Sequence, residues 1–381
     1  MKRFRYFISL ISVSLLLNFA FAAQPAKNLE TVSFTAEKSN VKILGRTYFE
    51  NDVLWMGHTD SGVEFNVSAK HLDVTIAGDN TATGSDKGNN ARIVAFVNDE
   101  RVLDTMIIKK NDTYTIFDGS DVVEGVVRII KVSECAQSLA GIKAISVDKE
   151  GKISPAAERN LKIEFIGDSI TCGYGVDDLV KENHFKTSTE DGSKTYAYKT
   201  AQALDADYSM VCVSGCGVIS AYSDNGSRNT SSLMPNYYQK LGFSWNSSIN
   251  GKRPQNFEWD FSAFVPDFVV INLGTNDASY TKGNPAKVKE YKDGYIDFIK
   301  VVRAKNPQAK IICSLGIMGQ DLCAAISDAV KTYSEETGDT KIKALKFNNQ
   351  IMSDGIAADW HPSEKTHKKA SALLIKKIKE E

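Results

Sequence analysis

Between about Val32 and Val147, apolar and polar positions alternate in short runs: Val63, Phe65 and Val67; Leu72, Val74 and Ile76; Ile93, Ala95 and Val97; Val127 and Ile129. A period of two sends successive side chains to opposite faces, so each run predicts a half-buried antiparallel strand. Turn-forming clusters such as Ala77-Gly-Asp-Asn and Lys87-Gly-Asn-Asn separate the runs. The expectation for residues 23–150 is an all-β domain, a jelly-roll or β-sandwich.

Past the polar stretch Lys149–Pro155 the rhythm changes. LKIEFIG, YSMVCVSG, PDFVVINLG and AKIICSLG are short apolar runs that each end near Gly, and helical patterns lie between them, at about Tyr196–Leu204 and Val288–Ala304. A closing helix starts at about Pro362. This alternation predicts an α/β domain over residues 158–381, a parallel sheet flanked by helices. Ligands of such sheets bind beyond the carboxyl ends of the strands, where the Gly-rich exits fall. The stretch Ser220–Asp260, rich in Asn, Ser and Gly, reads equally well as an insertion over a site or as surface loop.

A length of 381 residues favours two domains. With 46 basic and 47 acidic side chains there is no electrostatic case for nucleic acid or an anionic membrane. Lys2, Arg3 and Arg5 precede an apolar core from about Phe7 to Phe19 and the small-residue site Ala20-Phe21-Ala22, which reads as a signal peptide over residues 1–22. The apolar run is shorter than the roughly 20 residues of a spanning helix. The expectation is therefore a secreted or periplasmic protein with no membrane insertion once the signal is removed. Six cysteines could pair after export, but their connectivity is not readable. The five histidines are scattered and no zinc-ligand spacing is present, so no metal is expected.

Candidate chemistry sits at the strand exits. In IEFIGDSITCGYG, residues 163–175, Ser169 follows a predicted strand by two residues, and a turn into a helix would place its hydroxyl among free N–H groups. A serine in that position also suits a simple cap. Cys172 lacks an adjacent base and reads as packing or a disulfide. Asp359 and His361 flank Trp360, and in an extended segment both would point the same way, carboxylate beside imidazole. Pro362 would start a helix there, whose dipole disfavours a charged imidazole. Asn276 in Gly274-Thr-Asn-Asp277 offers an N–H donor, while Asp277 reads as a loop brace. The glycines of Ser214-Gly-Cys-Gly217 would let a backbone N–H approach a ligand.

The order Ser, Gly, Asn, then Asp and His, resembles the SGNH (GDSL-type) hydrolase superfamily through GDSI, the Gly of VSGCG, GTND and DWHPS, across residues 158–381. The resemblance implies Ser169 as nucleophile, His361 as base and Asp359 as its orienter. It implies an oxyanion hole made of the Ser169 N–H, the Gly215 N–H and the Asn276 side chain, with Gly217 as the alternative to Gly215. The superfamily commonly places the acid three positions before the histidine, and here the spacing is two. That spacing, GDSITCGYG, and a preceding β-domain with Gly45-Arg-Thr and Gly62-Val-Glu-Phe resemble carbohydrate esterase family two. Its members join a jelly-roll to an SGNH domain and remove O-acetyl groups from plant polysaccharides, some with a Ser-His dyad alone. What this implies is a cofactor-free acetyl xylan esterase acting on acetylated polysaccharide or oligosaccharide of the xylan or glucomannan type. Trp360 would then either face the sugar or pack in the core. The rival readings are an SGNH esterase, lipase or thioesterase for a different acyl group, and a non-catalytic carbohydrate-binding protein.

Overall fold

The computed structural model describes residues 30–84 and 88–381, so the signal peptide read over residues 1–22 lies outside the described residues. Between Thr31 and Pro155 the described strands form one antiparallel sheet. Two long strands carry it, Ser61–Gly78 and Asn111–Lys131, paired from Ser61 with Lys131 to Ala77 with Asn111. The runs 63–67 and 72–76 thus belong to a single strand, interrupted by register shifts near Lys70 and at Leu72/Asp73. Irregularities of this kind bend a strand, and here apolar side chains stay inward on both sides of the bend. Val63, Phe65, Leu72, Val74, Ile93 and Ile129 all lie in one buried core.

The second unit is a parallel sheet with strands side by side in the order Ala206–Cys212, Leu161–Gly167, Phe268–Asn272, Lys310–Ile317 and Ile342–Asn349. The first four coincide with the apolar runs of the sequence. The fifth gave no such signal, because only Ile342 and Phe347 of IKALKFNN are buried and its other residues are wholly or partly exposed, on a strand paired on one side. Helices Tyr196–Ala203, Pro285–Lys305, Cys323–Thr337 and Glu364–Glu380 flank this sheet.

The two units are not merely tethered. Leu44, Val94, Phe96, Ile130 and Val132 of the antiparallel unit pack in the same cluster as Ile163, Phe165, Tyr196 and Met210 of the parallel one. Beside that apolar contact, the buried Glu64 carboxylate receives Lys42 at 2.6 Å, Arg159 at 2.8 Å and Arg128 at 3.0 Å. Asp177 pairs with Arg92 at 2.8 Å and with Lys194.

Ser220–Asp260 proves to be neither a lid nor free loop along most of its length. It straps the units together: Trp245 N–H donates to Ala136 O at 3.0 Å, and Ser248 N–H to Asn80 Oδ1 at 2.8 Å. Arg46, fully buried, donates to Tyr238 O and Lys240 O and pairs with Glu164 at 3.2 Å. Among the described residues, no helix is long and apolar enough to cross a membrane.

Removing the Glu64 carboxylate takes from Lys42, Arg128 and Arg159 the buried acceptor they share and leaves them Asp207, Asp99 and Asp205, so the loss falls below the about 3–5 kcal/mol of a buried ion left with no partner. Glu64→Ala is expected to lower the unfolding free energy by about 1–3 kcal/mol, read by urea denaturation. A loss under about 1 kcal/mol would mean that the cations find solvent instead.

Candidate active site

Strand Leu161–Gly167 runs into a single helical turn, Ser169–Cys172, whose cap is Asp168: its carboxylate accepts the Ile170 N–H at 3.0 Å. Burial, with the nearby Asp277 adding, lifts the Asp168 carboxyl to about 7. An acid oxygen still accepts when its partner oxygen is protonated, so the cap functions in either state. The turn presents Ser169 Oγ to His361 Nε2 at 2.9 Å.

His361 is brought there by a tight turn, Ala358–Trp360, ahead of the closing helix. Asp359 and Trp360 both adopt left-handed backbone, with φ of 49° and 63°. Non-glycine residues in that region carry strain of about 1–3 kcal/mol and persist only where surroundings enforce it. The enforcement is visible: Ala358 N–H donates to Asp178 O at 2.8 Å and Asp359 N–H to Asn183 O at 2.9 Å. Gly175, at φ 60°, lets the turn close, since a Cβ there would lie 2.7 Å from Ala358 Cβ.

This backbone does not set the Asp359 carboxylate against the imidazole as an extended chain would. The left-handed pair instead turns it away, to accept from Tyr174 Oη at 2.6 Å, from Phe185 N–H at 3.0 Å, and to meet His184 Nδ1 at 2.9 Å. What faces His361 Nδ1 is main chain, Asp359 O at 3.1 Å and Ala358 O at 3.2 Å. Two carbonyls can only accept, so Nδ1 carries the proton and Nε2 is left to accept from Ser169 Oγ–H. Burial lowers the imidazole to about 4, although those carbonyls pull the other way. The base is therefore neutral at ordinary pH. Tyr174 stacks on it, centroids 3.9 Å apart and planes inclined by 19°.

The other expected donors line the same cleft of about 500 Å³. Gly215 is at φ 76° with open space where a Cβ would stand, whereas a Cβ on Gly217 would meet Ser220 O at 1.9 Å. Of the two glycines, Gly215 alone borders the cleft. Among the described residues, neither the Ser169 nor the Gly215 N–H donates to a protein acceptor. Asn276, on the first turn after strand Phe268–Asn272, donates through Nδ2 to Cys216 O at 2.8 Å, which pins the amide against the glycine loop. Asp277 braces that loop, accepting from the N–H groups of Val218, Ile219 and Ser220 at 2.8–3.1 Å. A second cleft, of about 430 Å³ and lined by Tyr48, Phe257 and Trp259, has no serine, cysteine or histidine in its lining.

Residues 163–374 match the family model of the GDSL-like lipase/acylhydrolases. The chain belongs to that family. It is 34% identical over 266 residues to the cellulase/esterase CelE of Acetivibrio thermocellus, an alignment covering 68% of this chain but only 31% of that protein. An acetylxylan esterase / glucomannan deacetylase of Cellvibrio japonicus is 24% identical over 352 residues, 92% of this chain and 91% of its own. Among solved structures, the acetyl xylan esterase Est2A of Butyrivibrio proteoclasticus superposes with a TM-score of 0.82 at 25% identity, covering 92% of this chain and 98% of that one. The pairing of an antiparallel sheet domain with a GDSL domain is thus common to this chain and to family two carbohydrate esterases.

Within this GDSL site, Trp360 is 54% exposed at the cleft rim, with Lys181 Nζ 4.7 Å from its ring centre, so core packing is not its role. Cys172 is buried, its thiol pushed well up by burial, and all six cysteines are free. Tyr174 went unrecognised in the sequence, although it stands between two glycines in the serine block. An aromatic there could have been read as a wall of the site.

Two outcomes follow from this geometry. Only neutral His361 can take a proton, so the acid limb of kcat/KM should lie well below the usual histidine value of 6.5, near pH 4, with activity held above it and lost below. A pH profile inflecting at 6 or higher would contradict the buried, carbonyl-held ring. Asp359→Asn should retain kcat/KM within about tenfold, against the roughly 10⁴-fold loss seen when a true carboxylate orienter is replaced.

Proposed function

We propose that this GDSL-family chain is a serine esterase that removes O-acetyl groups from plant cell-wall polysaccharides of the xylan or glucomannan type. The observation that carries the proposal is the 2.9 Å contact between Ser169 Oγ and a neutral His361, in a cleft that Gly215 and Asn276 also line. The cellulase/esterase and acetylxylan esterase names of its relatives support the choice of acyl group and substrate class.

In this reading His361 Nε2 takes the Ser169 proton as Oγ attacks the acetyl carbonyl. Negative charge on the tetrahedral oxygen is met by the Ser169 N–H, the Gly215 N–H and the Asn276 amide. His361 returns its proton to the departing sugar oxygen, and a water activated by the same ring releases acetate from the acetyl-serine. Trp360, half-exposed at the mouth, offers an indole face to a pyranose ring. Residues 1–22 act as an export signal in this proposal, followed by a β-domain to about residue 150 and the hydrolase domain from about 158. The basic start and short apolar core support the first of these assignments.

The test is acetate release from acetylated xylan and glucomannan, beside model esters of two to eight acyl carbons, for the wild type and Ser169→Ala. Acetate should appear with the wild type and fall by about 10⁴-fold or more in the variant, with rates dropping steeply beyond short chains. Equal rates on longer chains would assign a different acyl group. Retention of polysaccharide without any serine-dependent hydrolysis would leave a binding protein.

A further inference from the structure

The mechanism just described leaves out a fully buried carboxylate that touches two parts of the site from behind. Glu134 lies in the loop 132–139, between the antiparallel strands Asn111–Lys131 and Ala140–Asp148. It comes from the β-unit rather than from the GDSL sheet. Its Oε2 accepts the Ser214 N–H at 2.7 Å and lies 3.8 Å from Cys172 Sγ, an acceptor for that thiol. Ser214 immediately precedes Gly215, and Cys172 ends the helical turn that begins at Ser169. One oxygen atom therefore reaches both segments whose N–H groups would form the oxyanion hole.

The loop bearing Glu134 is itself held. Its main-chain N–H donates to Glu190 Oε2 at 2.8 Å, Gly192 N–H donates to Val132 O at 2.9 Å, and Trp245 N–H to Ala136 O. Lys131, also fully buried, donates to Ser133 O within the same loop, burial lowering its ammonium below the usual lysine value while the neighbouring Glu190 and Glu134 pull the other way. The cleft side of Gly215 is open space. The segment is also fastened by Tyr222 N–H to Gly215 O at 3.1 Å, Cys216 N–H to Val213 O at 3.2 Å and the Asn276 amide on Cys216 O, and further along by Met234 N–H to Gly217 O and the Asp277 brace, but Glu134 holds the residue directly before Gly215. Burial raises the Glu134 carboxyl above its ordinary value, and a carboxyl oxygen accepts from the Ser214 N–H whether or not its partner oxygen is protonated.

We infer that Glu134 is a positioning residue, through which the β-unit sets the Gly215 N–H relative to the Ser169 turn and so forms the oxyanion hole of the acyl transfer. This rests on the serine esterase reading above. It assigns the β-unit a part in catalysis independent of polysaccharide binding.

Two rates test it at 25 °C: phosphonylation of Ser169 by an ethyl fluorophosphonate, followed by intact mass, and hydrolysis of p-nitrophenyl acetate. Glu134→Met keeps the length and removes the acceptor; Glu134→Gln keeps an acceptor oxygen. Removing one oxyanion donor outright costs about 10²–10³-fold, so a misplaced donor in Glu134→Met should slow both rates by about 10–100-fold with KM unchanged. Glu134→Gln should recover to within about fivefold of wild type. Glu134→Ala replaces the Met variant should that one fail to fold. Folded variants lacking the acceptor that label at the wild-type rate overturn the inference. So does an equal loss in Glu134→Gln, or a loss carried by KM. Phosphonylation needs no acetylated polysaccharide. A wild type that is labelled at Ser169 yet releases no acetate therefore sinks the substrate assignment alone, and the labelling ratio still decides the role of Glu134.

Discussion

Everything at the site depends on the outer face of the antiparallel sheet being buried against the parallel one. Val94, Phe96, Ile130 and Val132 leave water only by packing onto Ile163, Phe165 and their neighbours, so neither sheet completes its core alone. At about 25 cal/mol per Å² of apolar area, burial of this kind outweighs what isolated surface ion pairs contribute. The Glu64 cluster is a different case, because its charges are withdrawn from solvent and must satisfy one another. The junction thereby fixes the loop after Lys131 against the strand exits where Ser169 and Gly215 stand.

The electrostatics of the site follow from the same exclusion of water. A serine hydroxyl is a poor nucleophile until a neutral base stands within hydrogen-bond reach. Burial keeps His361 neutral, and carbonyl acceptors at Nδ1 select the tautomer that can receive the proton. The Asp359 carboxylate is spent on holding the 174–185 segment, where Tyr174 covers one face of the imidazole. The strained turn and the aromatic wall are two sides of one arrangement.

How much of this was legible in the sequence depended on how local the signal was. Strands announce themselves through their own side chains, so Val63 to Ile76 and the run before Ser169 could be read directly. Ser169, Gly215, Asn276 and His361 could be found because each follows such a strand or precedes the closing helix. The placement of the Asp359 carboxylate was not legible because alternation holds for extended chain, and the left-handed pair at 359 and 360 is enforced by carbonyls of Asp178 and Asn183, which no local pattern encodes. Strand Ile342–Asn349 was missed because its apolar content is that of an edge. The strap from Ser220 to Asp260 has a loop-like composition, and its partners, such as Ala136 and Asn80, lie more than 100 residues away.

The main-chain acceptors at Nδ1 have a consequence for heredity. A triad whose third member is a side chain can lose it through a single codon change. What meets Nδ1 here is peptide oxygen, which every amino acid supplies. Drift at position 359 is therefore filtered by how readily the newcomer accepts left-handed φ, a preference shared by glycine, asparagine and aspartate and shunned by β-branched residues. Left-handed φ is thus a demand on that position separate from the hydrogen bonds its carboxylate accepts.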